Sequence, residues 1–398
     1  MHWNPTKLAA VTAALLLSAC GGGGSETSTK VTFTSLVSFG DSLSDVGTYK
    51  VGTIAAVGGG KWTVNDNTST ASRNWTEFLA GQLNLSAPCA AETGILPSSA
   101  FVTAGIVSVA VTEHTSCTNY AQGSARVTST FAPSSVGLQS LGLSTVGLLA
   151  VPVKTQIANH LSRVTQFSGT ELVTVLAGAN DAFMHLNAVS AATTLLTTDN
   201  TTTRTAALGA AIAAGWSTTM QATIQSGTAA AVASAAPTEA VTGMATAAAE
   251  LAGYITTSVV GKGAKYVVVV NVPNIVQTPR GQSLTASGQT LLGTMVTTYN
   301  SALKAALPSS VVLADAYTQG MDQYANPTQY GLTNVTTPTC SATGNILAGS
   351  SLVCNSSNLT SGVDVSTYQF ADDVHPTPAG YKLLNRFVAL KLAAAGWL

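Results

Sequence analysis

The sequence predicts an α/β fold of three layers, in which helices cover both faces of a central, mostly parallel sheet. Three observations lead to this prediction. Short runs of consecutive apolar residues are typical of strands buried on both faces, as in parallel sheets. Segments with helical spacing of apolar residues alternate with these runs. Polar clusters follow the runs, at the carboxyl ends of the strands, where such folds place their sites.

The predicted strands are Val31 to Phe39, Leu172 to Leu176, Tyr266 to Val270 and, more weakly, Val311 to Leu313. Two helices are predicted from apolar residues spaced three and four apart: Val241, Met244, Ala248, Leu251 and Ile255 in one, and Leu292, Met295, Tyr299, Leu303 and Ala306 in the other. A last helix follows Thr377-Pro378, a cap with proline at the first helical position. Segments 85–117 and 318–368 are predicted to be loops beside the site, and the Ala/Thr-rich segment 188–236 has only weak helical periodicity.

The chain is poor in charge. Only 8% of its 398 residues are charged, against about 25% in ordinary soluble domains. The 16 basic and 17 acidic residues give no electrostatic footprint for nucleic acid and no polybasic attraction to anionic lipid. We therefore expect a neutral, hydroxyl-rich surface, no nucleic-acid partner and no obligate protein partner.

Residues 1–20 are predicted to be an export signal. Their apolar run, Leu8 to Leu17, is too short to span a bilayer, which takes roughly 20 residues. Leu17-Ser18-Ala19-Cys20 resembles the lipobox of bacterial lipoproteins, in which the cysteine is lipidated; the alternative is an ordinary signal peptide cut nearby. Residues 21–33 are then a flexible tether and 34–398 one domain. We expect an exported protein, held by its lipid as an outer-membrane lipoprotein of the bacterial envelope, or secreted.

The remaining four cysteines are an even number, which in an exported chain is typical of disulfides. Three pairings exist. The local pairs Cys89–Cys117 and Cys340–Cys354 are the simplest, because each would close one loop-rich segment. Metal binding is the weaker alternative, because no CxxC motif or histidine cluster accompanies these cysteines.

Ser42 and His375 have the sequence context of a nucleophile and its general base. Ser42 lies in a turn opened by Gly40, just past the first predicted strand. His375 follows Asp372 and Asp373, and an aspartate three residues before a histidine can fold back onto its Nδ1–H and leave Nε2 free. Asp373 and a backbone carbonyl remain as alternative orienting groups. The elbow G-x-S-x-G is absent from the sequence, which disfavours an α/β-hydrolase fold.

Four blocks occur in order along the chain: Gly40-Asp41-Ser42-Leu43-Ser44-Asp45, Asn119-Tyr120-Ala121-Gln122-Gly123-Ser124-Ala125, Gly178-Ala179-Asn180-Asp181 and Asp372-Asp373-Val374-His375-Pro376-Thr377. Together they resemble the motif blocks of the GDSL, or SGNH, hydrolases, over roughly residues 36–390. The segment from Asn326 to Val335 is similar to the branch with plant GDSL lipases and bacterial autotransporter esterases. The resemblance implies the flavodoxin-like SGNH fold.

The same resemblance implies the roles of single residues. Ser42, Asp372 and His375 would be the catalytic triad, and the oxyanion would be bound by the backbone N–H groups of Ser42 and Gly123 and by the Asn180 side chain. The sequence departs from the common motifs at Val46, where Thr or Asn is usual, and at Ser124, where a second Gly is usual. Neither departure touches an implied catalytic role.

The implied activity is hydrolysis of carboxylic esters with short to medium acyl chains, lipids included, through an acyl-Ser42 intermediate. The implied partners are the acyl-ester substrate and, through the lipid, a membrane; no metal or organic cofactor is implied. Two alternatives use the same site, an acyltransferase and a polysaccharide deacetylase. A further alternative from another class is an inactive surface binding protein, which would have no reason to keep all four blocks.

Overall fold

Four parallel strands form the central sheet of the protein. A computed structural model describes residues 31–66, 72–96, 104–133 and 149–398. The strands are β1 (Leu36–Gly40), β4 (Leu172–Leu176), β5 (Tyr266–Val270) and β6 (Val312–Ala314), and they lie side by side in this order. The predicted strands at 172–176 and 266–270 have the predicted bounds, whereas β1 begins five residues later than predicted.

Residues in each strand alternate between two apolar layers. Val37, Phe39, Val173, Val175, Val267 and Val269 face one layer, and Leu36, Leu172, Leu176, Val268 and Val270 face the other. Every residue of β1 and β4 is buried, polar Ser38 and Thr174 included, and the hydroxyl of Thr174 donates to that of Ser38 over 2.9 Å. The continuous apolar runs therefore reflect burial on both faces, and the predicted α/β/α architecture is confirmed.

Among the described residues, six helices cover the first face. They are α3 (Val153–Val164), α4 (Ala179–Thr194), α5 (Thr201–Ala214), α6 (Thr218–Ser226), α7 (Ala229–Tyr254) and α9 (Ala286–Ala306). The Ala/Thr-rich segment is thus mostly helical, with short turns at 195–200, 215–217 and 227–228. Its periodicity is weak because alanines dominate both the buried and the exposed positions, so burial leaves little contrast in hydropathy. Helix α7 continues through Pro237, upstream of the segment predicted from spacing.

In the part of the chain that the structure describes, two helices cover the second face. They are α2 (Trp75–Gln82) and α11 (Pro378–Ala394), and Trp75, Leu79, Tyr381 and Val388 form its core with the strands. The predicted cap of the last helix is present, because the Thr377 hydroxyl accepts the Gly380 N–H over 3.1 Å and Pro378 is the first helical residue. Shorter helices outside these layers are α1 (Gly52–Ala56), α8 (Pro279–Gln282) and α10 (Ala316–Ala325).

The strand order of the sheet reverses at β1, which has neighbours on both sides. Ser38 donates its N–H to the Thr118 carbonyl over 3.0 Å and accepts the Tyr120 N–H over 2.8 Å, so residues 118–120 extend the sheet beyond β1. The chain thus passes from β1 to one neighbour and later to the other, β4. Such a switch point opens a crevice at the carboxyl ends of the strands.

The segments predicted to be irregular contain some regular structure. Strands β2 (Glu92–Ile95) and β3 (Val109–Glu113) pair antiparallel within 85–117, and helix α10 overlaps the start of 318–368. The two disulfides are the local pairs, Cys89–Cys117 and Cys340–Cys354. Disulfides form in oxidising compartments and indicate an extracellular or periplasmic protein.

The predicted signal peptide, Cys20 and most of the predicted tether lie outside the described residues. Within the described part of the chain, no helix combines the length and the apolarity that crossing a bilayer requires.

Candidate active site

The crevice at the switch point collects residues from all four sequence blocks. Ser42 follows β1, Ser124 follows the edge segment 118–120, and Asn180 lies in the first turn of α4, directly after β4. His375 comes from the segment before α11. All four residues line one cavity.

Ser42, His375 and Asp372 form a continuous hydrogen-bonded chain. The distance from Ser42 Oγ to His375 Nε2 is 2.9 Å. The opposite ring nitrogen, Nδ1, lies 2.9 Å from both carboxylate oxygens of Asp372. Asp373, the alternative orienting residue, is exposed. The geometry is that of an imidazole whose Nδ1–H is held by a carboxylate, which leaves Nε2 to accept the serine proton.

Asp372 is itself held by backbone amides. Its Oδ1 accepts the N–H groups of Val374 (3.0 Å) and His375 (2.7 Å), and its Oδ2 accepts that of Ser351 (2.9 Å). Burial raises the pKa of this carboxyl, but the charge of His375 and these hydrogen bonds outweigh burial and hold the pKa well below its usual range. Asp372 is therefore a fixed anion in the working pH range.

The contact with Asp372 also raises the pKa of His375. Burial lowers it, but the charge and the hydrogen bond of Asp372, together with the charges of Asp373 and Asp41, have the larger summed effect. The net pKa lies above the ordinary value of 6.5. The imidazole is thus more basic than a free histidine, as suits a group that must accept a serine proton.

The Asn180 side chain lines the same cavity as Ser42 and is tied to the second block. Its Nδ2 donates to the Ala125 carbonyl over 3.0 Å, and an amide NH₂ group has a second N–H. The following residue, Asp181, forms a buried ion pair with Arg126 at 2.8 Å. These two contacts hold the turn at residues 123–126 against the start of α4.

Gly123 does not line the cavity, and its amide already has a partner. The Gly123 N–H, expected from the sequence to bind the oxyanion, donates to Asp45 Oδ2 over 3.1 Å. The next residue, Ser124, lines the cavity with a left-handed φ of 63°, and its amide makes no hydrogen bond to a described residue.

Two further aspartates of the first block are buried, and one of them, Asp41, lines the cavity. Asp45 accepts the N–H groups of Gly47, Thr48 and Gly123 at 2.8 to 3.1 Å, and burial raises its pKa to about 6. Burial raises the pKa of Asp41 to about 7, and its Oδ1 accepts the Leu43 N–H over 3.0 Å. Sequence reasoning gave these residues no role, although two aspartates flanking a serine in a turn were a signal for backbone bracing.

The cavity has a volume of about 560 Å³ and is lined mainly by apolar side chains, among them Trp62, Phe183, Ile275, Val335, Leu347 and Phe370. Sequence reasoning missed these residues, because they come from five separate segments that only the fold brings together. Arg280 also lines the cavity, and its guanidinium lies 4.2 Å from the centre of the Phe183 ring. Such a cavity suits an apolar ligand of modest size.

The four disulfide cysteines take no part in the hydrogen-bonded chain of Ser42, His375 and Asp372. Cys340 borders the cavity, whereas Cys89 and Cys117 lie behind β1, beside the edge segment. No cluster of three or more metal-ligating side chains occurs among the described residues.

A comparison with protein families agrees with the geometry. The model of the family described as GDSL-like Lipase/Acylhydrolase matches residues 36–388, which include Ser42, Asn180, Asp372 and His375. No curated protein matches the chain. The matched segment covers most of the sequence, so the chain belongs to the GDSL-like lipase/acylhydrolase family, whose members are hydrolases of the ester type.

Proposed function

We propose that the protein hydrolyses carboxylic esters through an acyl-enzyme formed on Ser42. The observation that carries the proposal is the unbroken chain from Ser42 Oγ through His375 to Asp372 at the end of an apolar cavity. Family membership supports an ester-type hydrolase in general. The triad geometry supports the serine mechanism in particular.

The reaction has two steps. His375 Nε2 takes the Ser42 proton as Oγ attacks the ester carbonyl, and the tetrahedral intermediate then expels the alcohol, which receives that proton. In the second step His375 takes a proton from water, the hydroxide attacks the acyl-Ser42 carbonyl, and the acid leaves as Oγ regains the proton. Asp372 stabilises the imidazolium in both steps.

Three donors are available for the oxyanion. We propose the backbone N–H of Ser42, the second N–H of Asn180 Nδ2 and the backbone N–H of Ser124. Ser124 replaces Gly123 in this assignment because the Gly123 amide donates to Asp45, whereas Ser124 lines the cavity. Fixed donors of this kind stabilise the charge that develops on the carbonyl oxygen.

The apolar cavity of about 560 Å³ favours acyl chains of short to medium length. The test is hydrolysis of p-nitrophenyl esters, from acetate to palmitate, by the mature domain, by Ser42→Ala and by Ser44→Ala. Ser44 is a matched control in the same turn, where its hydroxyl accepts the Trp75 indole N–H over 3.1 Å. We expect activity in the parent and in Ser44→Ala and none in Ser42→Ala. Activity that survives in Ser42→Ala would overturn the mechanism.

We also propose that the domain is exported and tethered through a lipid on Cys20. The lipobox-like sequence supports the anchor, and the two disulfides support an oxidising compartment. Mass spectrometry of the N-terminal peptide from the expressing cell tests this. A diacylated Cys20 is expected, and an unmodified mature N-terminus would contradict it.

A further inference from the structure

Trp62 lies directly against His375. The centres of the indole and imidazole rings are 4.8 Å apart and their planes are tilted by 32°. The Trp62 side chain also lines the cavity beside Ser42. The hydrogen bond to Asp372 holds His375 Nδ1. The imidazole can still rotate about the bond from Cβ to the ring, because the energy minimum of this torsion is broad. A ring packed on one face of the imidazole narrows that rotation.

The Nε1 and Cζ2 side of the Trp62 indole packs against Gly123. A Cβ atom on residue 123 would lie 2.6 Å from both Nε1 and Cζ2 of the indole, a distance that side chains do not reach. Gly123 has no left-handed φ that would itself require glycine. Glycine is therefore needed at this position for the space that Trp62 occupies.

Gly123 and Trp62 are both held in place by other contacts. The Gly123 N–H donates to Asp45 over 3.1 Å, and its carbonyl accepts the Tyr49 hydroxyl over 3.1 Å. The Tyr49 ring meets the indole edge-on, at 5.9 Å between centres. The Trp62 carbonyl accepts the Tyr381 hydroxyl over 3.0 Å, which ties it to α11, directly after the His375 segment. The indole is thus fixed between a rigid glycine and the imidazole.

We propose that Trp62 is a positioning residue that aligns His375 with Ser42. We also propose that residue 123 is glycine because a side chain there would keep Trp62 from packing on the imidazole. The proposal rests on the proposed esterase function. It gives Gly123 a steric role in place of the oxyanion role expected from its motif. Both residues act on the proton transfer through the orientation of Nε2, and neither touches the substrate carbonyl.

The first test compares Trp62→Leu with Trp62→Phe, using a short p-nitrophenyl ester. Because small misalignments of reacting groups are costly, we expect Trp62→Leu to lower kcat by about 10- to 100-fold. KM should change as well, because Trp62 also lines the cavity, so kcat is the deciding readout. Trp62→Phe keeps an aromatic face and should retain most of the parent kcat. Thermal unfolding of each variant verifies that it is folded. A Trp62→Leu variant with parental kcat would overturn the proposal.

The second test is a double-mutant cycle with Gly123→Ala. In the parent background the added methyl group displaces the indole, and kcat should fall to about the level of Trp62→Leu. In the Trp62→Leu background the same methyl group has nothing to displace, so kcat should hardly change. Equal losses in both backgrounds would show that Gly123 acts independently of Trp62, and would overturn the steric role.

Tyr324→Leu is the control for the loss of an aromatic side chain from the cavity. Tyr324 lines the cavity but makes no ring contact with His375. It should change KM rather than kcat; a loss of kcat equal to that of Trp62→Leu counts against a specific role. The Nδ1–H proton of His375 gives a readout that needs no activity. Its downfield NMR signal should be sharp in the parent and weakened in Trp62→Leu. An inactive parent would contradict the proposed function, but this signal would still test the positioning role.

Discussion

The backbone N–H of Ser351 donates to Oδ2 of Asp372 over 2.9 Å. Ser351 lies in the loop closed by the Cys340–Cys354 disulfide, and Cys340 donates its own N–H to the Ala371 carbonyl over 2.8 Å. The disulfide loop thus contacts the orienting carboxylate directly at one point and its neighbouring backbone at another. A covalent constraint remote in sequence from Ser42 is in this way coupled to the triad.

Removal of the Cys340–Cys354 disulfide by a double Cys→Ser substitution should lower kcat, because a looser loop no longer presents the Ser351 amide to Asp372. The matched control is removal of Cys89–Cys117, which closes the longer loop, with a sequence separation of 28 against 14. In the chain-entropy description each removal costs about 3 to 4 kcal/mol of stability, slightly more for the longer loop. We expect the 340–354 variant to lose more kcat and the 89–117 variant to lose at least as much stability. The reverse order of activity loss would contradict the coupling.

Asp372→Asn should lower kcat by about 10⁴-fold, because the amide favours the wrong tautomer of His375. The parent pH profile follows from the raised pKa of His375: the neutral imidazole is the active form, so kcat/KM should rise with pH and reach half its maximum above pH 6.5. In Asp372→Asn the carboxylate no longer raises the pKa of His375, so the residual activity should reach half its maximum at a lower pH than in the parent. Asp373→Asn is the control and should cause a much smaller loss of kcat.

Asn180→Ala should lower kcat by about 10²- to 10³-fold with little change in KM, as expected for loss of one oxyanion donor. Asn159→Ala is a suitable control, since Asn159 also donates through Nδ2, to Glu92 at 3.3 Å, but lies outside the cavity. Steady-state kinetics on one ester and a thermal melt of each variant separate the two effects. A parental kcat in Asn180→Ala would exclude Asn180 from the oxyanion site.

Gly243→Ala should destabilise the protein by about 1 to 3 kcal/mol, because a Cβ atom there would lie 2.2 Å from the buried His185 ring. Gly253 lies on the same helix with nothing within 4 Å of its Cβ position. Gly253→Ala should stabilise by about 0.5 to 1 kcal/mol through helix propensity. Urea unfolding measures both changes. A neutral Gly243→Ala variant would contradict the tight packing of α4 against α7.

Two buried histidines should make the fold less stable in acid. Burial lowers the pKa of His185 to about 3 and that of His160 to about 4, below their ordinary value of 6.5. The unfolded chain therefore binds these protons first, so their contribution is complete above pH 6.5 and is lost as the pH falls towards 4 and then 3. At pH 5 the loss for His185 is on the order of 2 kcal/mol.

His185→Gln provides the check on the acid effect. Glutamine can still accept the Trp216 indole N–H, which His185 Nδ1 accepts over 3.0 Å, but it does not titrate. The Tm of this variant should fall less between pH 7 and pH 5 than the Tm of the parent. An equal fall in both would show that other groups dominate acid unfolding.

Some elements could be predicted from local sequence and others could not. The strands at 172–176 and 266–270 were recognisable because double burial leaves an uninterrupted apolar run. The edge segment 118–120 was not, because its residues pair with β1 through backbone groups while Thr118 and Asn119 read as a polar loop. The helices between 201 and 254 were obscured because alanine occupies buried and exposed positions alike.

The sequence by itself singled out Ser42, Asn180, Asp372 and His375 as candidate site residues, because the proposed chemistry needs particular side chains at short, recognisable spacings. It also determined the two local disulfides as the simplest pairing. Only the tertiary structure decided which backbone groups surround these residues. That the Gly123 amide binds Asp45, that Ser351 braces Asp372 and that Trp62 packs on His375 are contacts across 78, 21 and 313 residues of sequence. Such contacts arise from how layers and loops close over one another, and no local pattern of hydropathy or spacing encodes them.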